Sequence, residues 1–214
     1  MQTSGIDTLD GLMGRYVAGR LPEPARVLVE AHLAISPKNR PLVDALESAA
    51  GDELEDIAPA AVADRDTRIA AIFDMPPEQP SKLERSNDPV LPDVLRQFVG
   101  VSIDDIPWKT KMPGYREYLI GEIDGCEANL LWIKPGRKMP SHTHEGSEIT
   151  LVLDGAFSDV NGRYGRGDIA VADDSIDHRP IAESDRPCIC FAVTDAPLKL
   201  TGSYTQMFSD FLGR

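Results

Sequence analysis

Three of the four histidines in this 214-residue chain could hold a metal ion together: His142, His144 and His178. Residues two apart on a strand project to the same face, so His142 and His144 are expected to point the same way. Glu148 has the same parity and opens an apolar run typical of a buried strand. A single histidine would be read as an ordinary polar residue of a sheet. Three imidazoles and a carboxylate that converge are instead the ligands of a divalent cation, and we predict a metal site from these four residues.

The glycines around these residues set a recognisable spacing. Gly136 precedes His142 by six positions and Gly155 follows Glu148 by seven, giving the pattern G-x5-H-x-H-x3-E-x6-G. This stretch resembles the first motif of the cupins at every position. From Gly167 to His178 the chain also keeps the glycine–histidine spacing of the second cupin motif. Three other positions of that motif differ, with Asp173 for proline, Ser175 for glycine and Ala182 for asparagine. The resemblance implies a small antiparallel β-barrel with the metal inside.

Composition narrows the classes of function. The net charge is 22 − 35 = −13 and the isoelectric point is about 4.7, so a direct role in binding nucleic acid is not expected. Three cysteines are too few for a disulfide framework and favour a reducing compartment. No apolar run reaches membrane-spanning length and the first residues lack a signal-peptide pattern. We therefore expect a cytoplasmic protein that does not contact a membrane. The sequence does not indicate an oligomeric state.

The chain changes character near residue 75, which predicts an α+β protein of more than one domain. We expect a helical bundle over 1–75, a proline-rich polar linker over 76–96 and the cupin-like β-barrel over 97–214. Four helices are predicted in the first part: one through 9–17, one from Pro24 to Ile35, one starting at Ser36-Pro37 and one over 61–73. The strands predicted in the last part are Tyr115–Ile123, 128–133, Glu148–Asp154, 168–172 and 188–195, with a hairpin turn at Asn161-Gly162.

The first three predicted helices resemble the zinc-binding anti-sigma domain. Its signature is H-x3-C-x2-C with a further histidine upstream. His32 keeps the histidine position, whereas Ser36 and Asn39 stand at the cysteine positions and no histidine lies upstream. Serine and asparagine cannot supply the thiolates of a structural zinc site, so the resemblance is to the fold of that domain and not to its metal. We interpret His32 as a surface or partly buried residue of the helix.

Both parts together resemble the ChrR family of anti-sigma factors, and the likeness extends beyond the motifs to segments such as 131–133 and 188–198. The resemblance implies a helical domain that holds an extracytoplasmic-function sigma factor inactive. It also implies a zinc-binding cupin-like domain needed for release under singlet oxygen or related oxidants. Residues 1–85 contain 9 lysines and arginines and 15 acidic residues, a net charge of 9 − 15 = −6. This negative charge suits a partner with basic DNA-binding surfaces. The alternative is that these acids are a solvated face and that the apolar stripes form only the domain's own core.

The predicted ligand set leaves two functions open. Tetrahedral coordination by four protein ligands suits zinc in a structural or sensory site. Octahedral coordination with open positions would suit iron, manganese or nickel, and the chain would then be a small cupin oxygenase or isomerase with a helical appendage. Glu145 is adjacent in sequence, but its opposite parity should turn it away from the site.

Cys188 and Cys190 lie two apart on a predicted strand and should face the same side. Residues at this spacing are roughly 6.5–7 Å apart along a strand, too far for an unstrained disulfide. They could be oxidation-sensitive thiols, so we note both as possible redox residues. The preferred interpretation is that they are small buried apolar residues, because free cysteine is commonly buried.

Overall fold

The computed structural model describes residues 8–76 and 88–201 of the chain. The helices are α1 (Leu9–Val17), α2 (Glu23–Ile35), α3 (Arg40–Glu55), α4 (Arg65–Asp74) and α5 (Asp93–Val99), with a short 3-10 helix at Ile103–Asp105. The strands are β1 (Lys109–Met112), β2 (Tyr115–Ile123), β3 (Cys126–Ile133), β4 (His142–His144), β5 (Glu148–Asp154), β6 (Ala156–Asp159), β7 (Gly162–Gly165), β8 (Ile169–Ala172), β9 (Ile181–Ala182), β10 (Cys188–Thr194) and β11 (Leu198–Leu200). The predicted α+β fold, with helices first and strands after them, is confirmed.

The first two helices form where they were predicted, and the next two begin later. Pro24 lies in the first turn of α2 as expected. The prediction that a helix starts at Ser36-Pro37 was wrong. The Ser36 amide donates to the carbonyl of His32 at 2.7 Å, so Ser36 closes α2, and α3 begins only at Arg40. The fourth helix begins at Arg65 instead of residue 61.

Helix α5 was not predicted. It begins after Pro92 and ends at Gly100, whose φ of 83° is a left-handed conformation that favours glycine. Leu95 and Val99 lie one helical turn apart and are both buried. The helix spans the boundary drawn at residue 96 between the linker and the cupin-like domain. The domain limits as a whole stay a prediction, and residues 1–7, 77–87 and 202–214 lie outside the described part of the chain.

The strands form three antiparallel sheets. Six strands pair in the order β1-β2-β3-β10-β5-β8, three in the order β7-β6-β9, and β4 pairs with β11. Isolated bridges join Lys138 to Ile181 and His142 to His178. In the described residues, the strands therefore do not close into one hydrogen-bonded barrel, because β4 pairs with β11 and not with the larger sheet.

The long strands were predicted closely, and β8 begins one residue later than predicted, but most of the short strands were given no bounds. β2 and β5 have the predicted bounds, β3 begins two residues earlier than predicted and β10 ends one residue earlier. In the predicted hairpin Asp159 pairs with Gly162, so the connection is Val160-Asn161 and the turn lies one residue earlier than expected. The strands β1, β4, β6, β7, β9 and β11 have two to four residues, too few to show a period of two.

Strand β10 shows how the sheet divides the core. Phe191 and Val193 face the helices, and the Phe191 ring meets Phe98 of α5 edge-on at 6.0 Å between centroids. Cys188 and Cys190 face the opposite side, with Val152, Phe157 and Ala170. One face of the large sheet thus carries α2 and α5, and the other forms the interior in which the predicted metal ligands lie. None of the helices in the described parts of the chain is long and apolar enough to cross a membrane.

Candidate metal centre

The side chains of the three predicted histidines converge. Nε2 of His178 lies 2.9 Å from Nε2 of His142 and 3.3 Å from Nε2 of His144. Three ligand atoms of these residues lie within 4.8 Å of one another, and no other such group of histidine, cysteine or acidic side chains occurs in the described residues. The parity argument for His142 and His144 holds, since both lie on β4 and face the same partner.

His178 reaches the cluster from the loop between β8 and β9. Its backbone N–H donates to the carbonyl of His142, and the His142 N–H donates back, both at 3.0 Å. This isolated bridge places the two rings side by side, with centroids 4.4 Å apart. The loop between β8 and β9 is therefore fixed at His178 by backbone hydrogen bonds.

In His142 and His178 the ring nitrogen that faces away from the cluster, Nδ1, donates a hydrogen bond. His142 Nδ1 donates to the carbonyl of Pro140 at 2.9 Å, and His178 Nδ1 donates to Oδ2 of Asp159 at 2.9 Å. The Asp159 side chain is 2% exposed. A proton held on Nδ1 leaves the lone pair of Nε2 free to bind a metal, and a carboxylate behind a ligand histidine raises its basicity. Asp159 was not predicted as a site residue, because nothing in the sequence distinguishes it from other surface acids.

Glu148 lies beside the cluster without being part of the three-histidine group. Its Oε2 is 3.6 Å from Nδ1 of His144, and its Oε1 accepts a hydrogen bond from Thr150 Oγ1 at 2.7 Å. His144 Nδ1 is buried and has no hydrogen-bond partner among the described residues. Glu148 opens β5, a strand of a different sheet from β4, so its parity with His144 is not what places it. Its role as a fourth ligand stays a prediction.

Burial favours the neutral form of two histidines of the cluster. Desolvation is the main cause that lowers the pKa of His142 and of His144 below the ordinary histidine value, although Glu148 acts to raise both. Neutral imidazoles are the form that binds a metal ion.

The donor set fits a divalent cation. Nitrogens about 2.0–2.1 Å from one zinc ion would lie about 2.9 Å apart at a right angle and about 3.4 Å apart at the tetrahedral angle. The measured separations of 2.9 and 3.3 Å fall in this range. These separations suit three imidazoles that share one cation, and the cluster is a candidate metal-binding site.

A cavity of about 300 Å³ opens beside the histidines. His142, His178 and Glu148 line one part of it. Tyr115 and Glu117, two apart on β2, line another part, and the Tyr115 hydroxyl donates to Glu117 Oε2 at 3.2 Å. Burial, and then Glu117, raise the pKa of Tyr115 well above its usual value, so the phenol stays protonated. Neither residue was predicted as part of the site, although their spacing of two on a predicted strand places them on one face.

Comparison with known proteins bears on both parts of the chain. A family model described as the ChrR cupin-like domain matches residues 96–197. The anti-sigma-E factor ChrR of Cereibacter sphaeroides is 36% identical over 203 residues, which are 94% of this chain and 95% of that protein. The chain belongs to the ChrR family of anti-sigma factors. The crystal structure of Rhodobacter sphaeroides SigE in complex with the anti-sigma ChrR is also similar, with a TM-score of 0.74 and 33% identity over 88% of this chain and 97% of that one. The resemblance inferred from the sequence is thus confirmed.

Within this ChrR-family chain, His32 joins the helices to the cupin domain. It is 2% exposed, so the expectation of a surface or partly buried position was wrong. Its Nδ1 donates to the carbonyl of Gly167 at 2.6 Å, and its Nε2 accepts from the Asn39 side-chain amide at 3.1 Å. Lys38 extends the contact through an ion pair with Asp168 at 2.7 Å. The position that resembles a zinc ligand therefore makes a hydrogen-bonded contact with the cupin domain.

The two β10 cysteines are packed in the cupin interior. Cys188 and Cys190 are 0% and 1% exposed, as their interpretation as apolar residues expects. Their Sγ atoms are 3.5 Å apart, closer than the spacing along a flat strand, since the pairing of β10 with β5 shifts register between Ile189 and Cys190. The hydrogen bond between the Cys190 thiol and the Cys188 sulfur, together with burial, raises the pKa of Cys190 well above its usual value and keeps the thiol protonated. Their redox role stays a prediction.

Proposed function

We propose that this chain is an anti-sigma factor, which sequesters an extracytoplasmic-function sigma factor through its helices and releases it when its cupin domain responds to an oxidant. The observation that carries the proposal is the similarity over nearly the whole chain, helices included, to a ChrR protein whose structure was determined in complex with SigE. A cupin enzyme with an unrelated helical appendage would share only the cupin part. The proposed location is the cytoplasm, where sigma factors act.

The region around α4 supplies a surface for the sigma factor. No residue of α4 is buried. Six of the eleven large hydrophobic side chains that are exposed among the described residues fall between the end of α3 and the residue after α4: Leu54, Ile57, Val62, Ile72, Phe73 and Met75. We call this set the α4 surface. Exposed apolar side chains concentrated in this short segment favour a protein contact, because a short helix gains stability by burying its apolar side chains on a partner.

Acidic side chains surround the α4 surface and suit a basic partner. Residues 51–76 carry Asp52, Glu53, Glu55, Asp56, Asp64, Asp66 and Asp74 against only Arg65 and Arg68. A protein that binds promoter DNA has basic surfaces, which these acids can occupy in place of DNA. The apolar side chains then supply affinity, and the charges favour the orientation of the complex.

We propose zinc as the resident metal, with His142, His144, His178 and Glu148 as its ligands. Three imidazoles and a carboxylate make a four-coordinate set of the kind that holds zinc, with iron, manganese and nickel as alternatives. Glu148 is the proposed fourth ligand because its carboxylate lies beside His144, with Oε2 3.6 Å from Nδ1 of that ring. When bound, the ion would tie β4, β5 and the β8–β9 loop together.

A contiguous path leads from this site to the helices. Asp159, which accepts from His178, ends β6 at the turn of the β6–β7 hairpin, and Gly167, which accepts from His32, lies two residues after β7. A change at the metal that alters the position of His178 can thus reach the contact between the cupin domain and α2. For effective release, the change must lower the affinity for the sigma factor by a few kcal/mol, since about 1.4 kcal/mol is tenfold.

Co-purification with candidate sigma factors of the same organism tests the function. Tagged full-length chain, kept reduced and in the dark, should retain one sigma factor, and Phe73→Asp on the α4 surface should weaken the complex by more than tenfold. Leu119→Asp is the matched control, because Leu119 is 51% exposed on β2 and is not part of the α4 surface. Absence of any complex under these conditions would refute the proposed function.

Elemental analysis of the purified chain tests the metal. One zinc per chain is expected, and substitution of His144 by alanine should abolish it. Stoichiometric iron or manganese, with turnover of a small carbonyl or thiol compound, would instead support the alternative of a cupin enzyme.

A further inference from the structure

A row of side chains crosses one face of the large sheet and contains three glutamates. Glu122 on β2 is directly opposite Glu127 on β3. Thr194 on β10 is opposite Glu127 on one side and opposite Glu148 of β5 on the other. Residues opposite one another on neighbouring strands share a face, with Cα atoms about 4.5–5.5 Å apart. The three glutamates are therefore held along one line, and all of them line a cavity of about 360 Å³.

A β-bulge in β2 places Glu122 on this face. The pairing of β2 with β3 shifts register between Leu119 and Gly121. In a regular strand Glu122 would point away from the face that carries Glu117, because the two residues are five positions apart. The extra residue of the bulge returns Glu122 to the same face, and both glutamates line the cavity. The shape of the backbone thus adds one more acid to a row of acids.

The charged side chains that line this cavity are all acidic. They are Glu117, Glu122, Glu127, Glu148 and Asp195. Glu117 pairs with Lys111 Nζ at 3.1 Å, and Glu148 lies beside His144 in the candidate metal centre. The other three acids form no ion pair within the described part of the chain. The cavity is therefore negative whether or not Glu148 ligates a metal ion. Like charges directly opposite on neighbouring strands destabilise a sheet, and a bound cation offsets this repulsion between Glu122 and Glu127.

An unsatisfied acceptor in the same cavity points to a ligand independently of the charges. Asn129 lines the cavity and is 7% exposed. Its side-chain amide donates to Glu127 Oε1 at 2.7 Å, whereas its Oδ1 is buried and accepts no hydrogen bond from the described residues. Buried polar atoms in proteins nearly always have a hydrogen-bond partner. An N–H group of a ligand beside Glu127 would supply the donor that Asn129 lacks.

The arrangement of the acids favours an organic cation over a metal ion. Among the described residues, only the three histidines form a group of three metal-ligating side chains within 4.8 Å of one another, so these carboxylates do not converge on one point. An ammonium group supplies donors and no acceptor, which is what carboxylates and the Asn129 oxygen need. Leu131, Ala192 and Pro197 also line the cavity and give an aliphatic chain an apolar surface.

We propose that this cavity binds a linear aliphatic diamine. One ammonium group lies between Glu122, Glu127 and the Oδ1 atom of Asn129, and the other lies further along the row towards Glu148. The volume of about 360 Å³ is at the small end of ligand sites, which suits a molecule of this size. Glu148 also lines the cavity beside the histidines, so the two sites adjoin. The inference goes beyond the proposed function, because it assigns a ligand that release of a sigma factor does not require.

Calorimetric titration of the full-length chain with putrescine tests the proposal. Butylamine keeps the carbon chain and lacks the second ammonium group, and Ca²⁺ has the same charge as putrescine and accepts oxygen ligands. At one ionic strength, we expect one putrescine per chain, bound at least tenfold more tightly than butylamine or Ca²⁺. Equal binding of putrescine and Ca²⁺ would show a general attraction to a chain of net charge −13 and would overturn the proposal. Absence of putrescine binding at millimolar concentration would overturn it too.

Substitutions in the row locate the site. Asn129→Leu and Glu122→Gln should each weaken putrescine binding at least tenfold, and Glu122 is exposed, so its replacement leaves the core intact. Glu53→Gln on α3 removes the same charge from an exposed position and is the control that should bind like the parent chain.

Charge reversal separates the ligand from the fold. Glu122→Lys places a cation opposite Glu127, so it should raise the melting temperature while it abolishes putrescine binding. Undiminished binding to the folded Glu122→Gln or Glu122→Lys chain would place the amine elsewhere and contradict the inference. These titrations need no sigma factor, so their failure leaves the proposed anti-sigma function untouched.

Discussion

Replacing His32 by phenylalanine should destabilise the folded chain by about 2–4 kcal/mol. Phenylalanine fills a similar volume, so the change isolates the two hydrogen bonds of the imidazole. A buried acceptor left without its donor costs about 1–3 kcal/mol, which applies to the Gly167 carbonyl, and loss of an ordinary hydrogen bond costs about 0.5–1.5 kcal/mol, which applies to Asn39. Urea denaturation followed by tryptophan fluorescence measures the difference in the free energy of unfolding.

A double-mutant cycle makes the test specific. Asn39→Ala should cost about 1 kcal/mol in the parent chain and much less in the His32→Phe background, because the partner is already gone. If Asn39→Ala lowered the free energy of unfolding equally in the parent and in the His32→Phe chain, the hydrogen bond between Asn39 and His32 would contribute nothing to stability. A change below about 0.5 kcal/mol for His32→Phe itself would refute the argument, since that is the scatter of ordinary surface substitutions.

The same residue predicts a pH dependence. Burial lowers the pKa of His32, with a smaller effect of Lys38 in the same direction, and outweighs the Gly167 carbonyl and Asp168, which act to raise it. The folded pKa therefore lies below the unfolded value of about 6.5, and the unfolded chain takes up more protons in between. The stability that His32 contributes is fully present above about pH 6.5 and is lost as the pH falls below it. His142 and His144 titrate in the same sense in the metal-free chain, so the difference between the parent and His32→Phe isolates the contribution of His32.

Three other perturbations follow from the same contacts. Asp159→Asn should weaken metal binding roughly 10–100-fold, measured by competition with a chelator, because His178 loses the carboxylate that orients it; unchanged affinity would contradict that role. Gly155→Ala should lower the free energy of unfolding by about 2–5 kcal/mol, since Gly155 has a φ of 69° and an added Cβ would collide with the Pro187 carbonyl; a neutral effect would refute the strain argument. The β10 cysteines should resist alkylation in the native chain and react after denaturation, measured by mass spectrometry, and rapid native labelling would contradict their burial.

Residue type and spacing were enough to predict the parts of this fold that have strong periodicity. The bounds of β2 and β5 follow from runs of seven to nine residues, and the three histidines from a motif with a fixed spacing. The parity of Glu148 in the sequence predicted that it lies near His144, and it does. The reason was not sound, however, because Glu148 lies on a different strand from His144. The third helix was misplaced because serine followed by proline is a helix-start signal, whereas here Ser36 is held by the last turn of α2.

What the sequence could not supply are the contacts between distant segments. His32 and Gly167 are 135 positions apart, and neither residue alone indicates that an imidazole and a carbonyl meet. Asp159 and His178 are joined in the same way across 19 positions. Such pairs depend on how the helices pack on the sheet and how loops fold over it, and local propensity carries no information about either.

The His32 contact bears on how a metal site in the cupin domain could affect a sigma factor held by the helices. Gly167 has a φ of 85°, and an added Cβ would lie 3.0 Å from Ile35 and 3.1 Å from Ser36. The turn at Gly167 is therefore packed directly against the end of α2, with no free space between them. Lys38 and Asp168 add an ion pair at the same place. A displacement of this turn must therefore move the end of α2 or break the hydrogen bond to His32, because close-packed contacts do not deform continuously. In this chain, which has Ser36 and Asn39 where the zinc-binding anti-sigma domain has cysteines, a neutral imidazole makes that connection. The free energy of this connection is that of a few hydrogen bonds, which matches the few kcal/mol that the proposed release of a sigma factor would require.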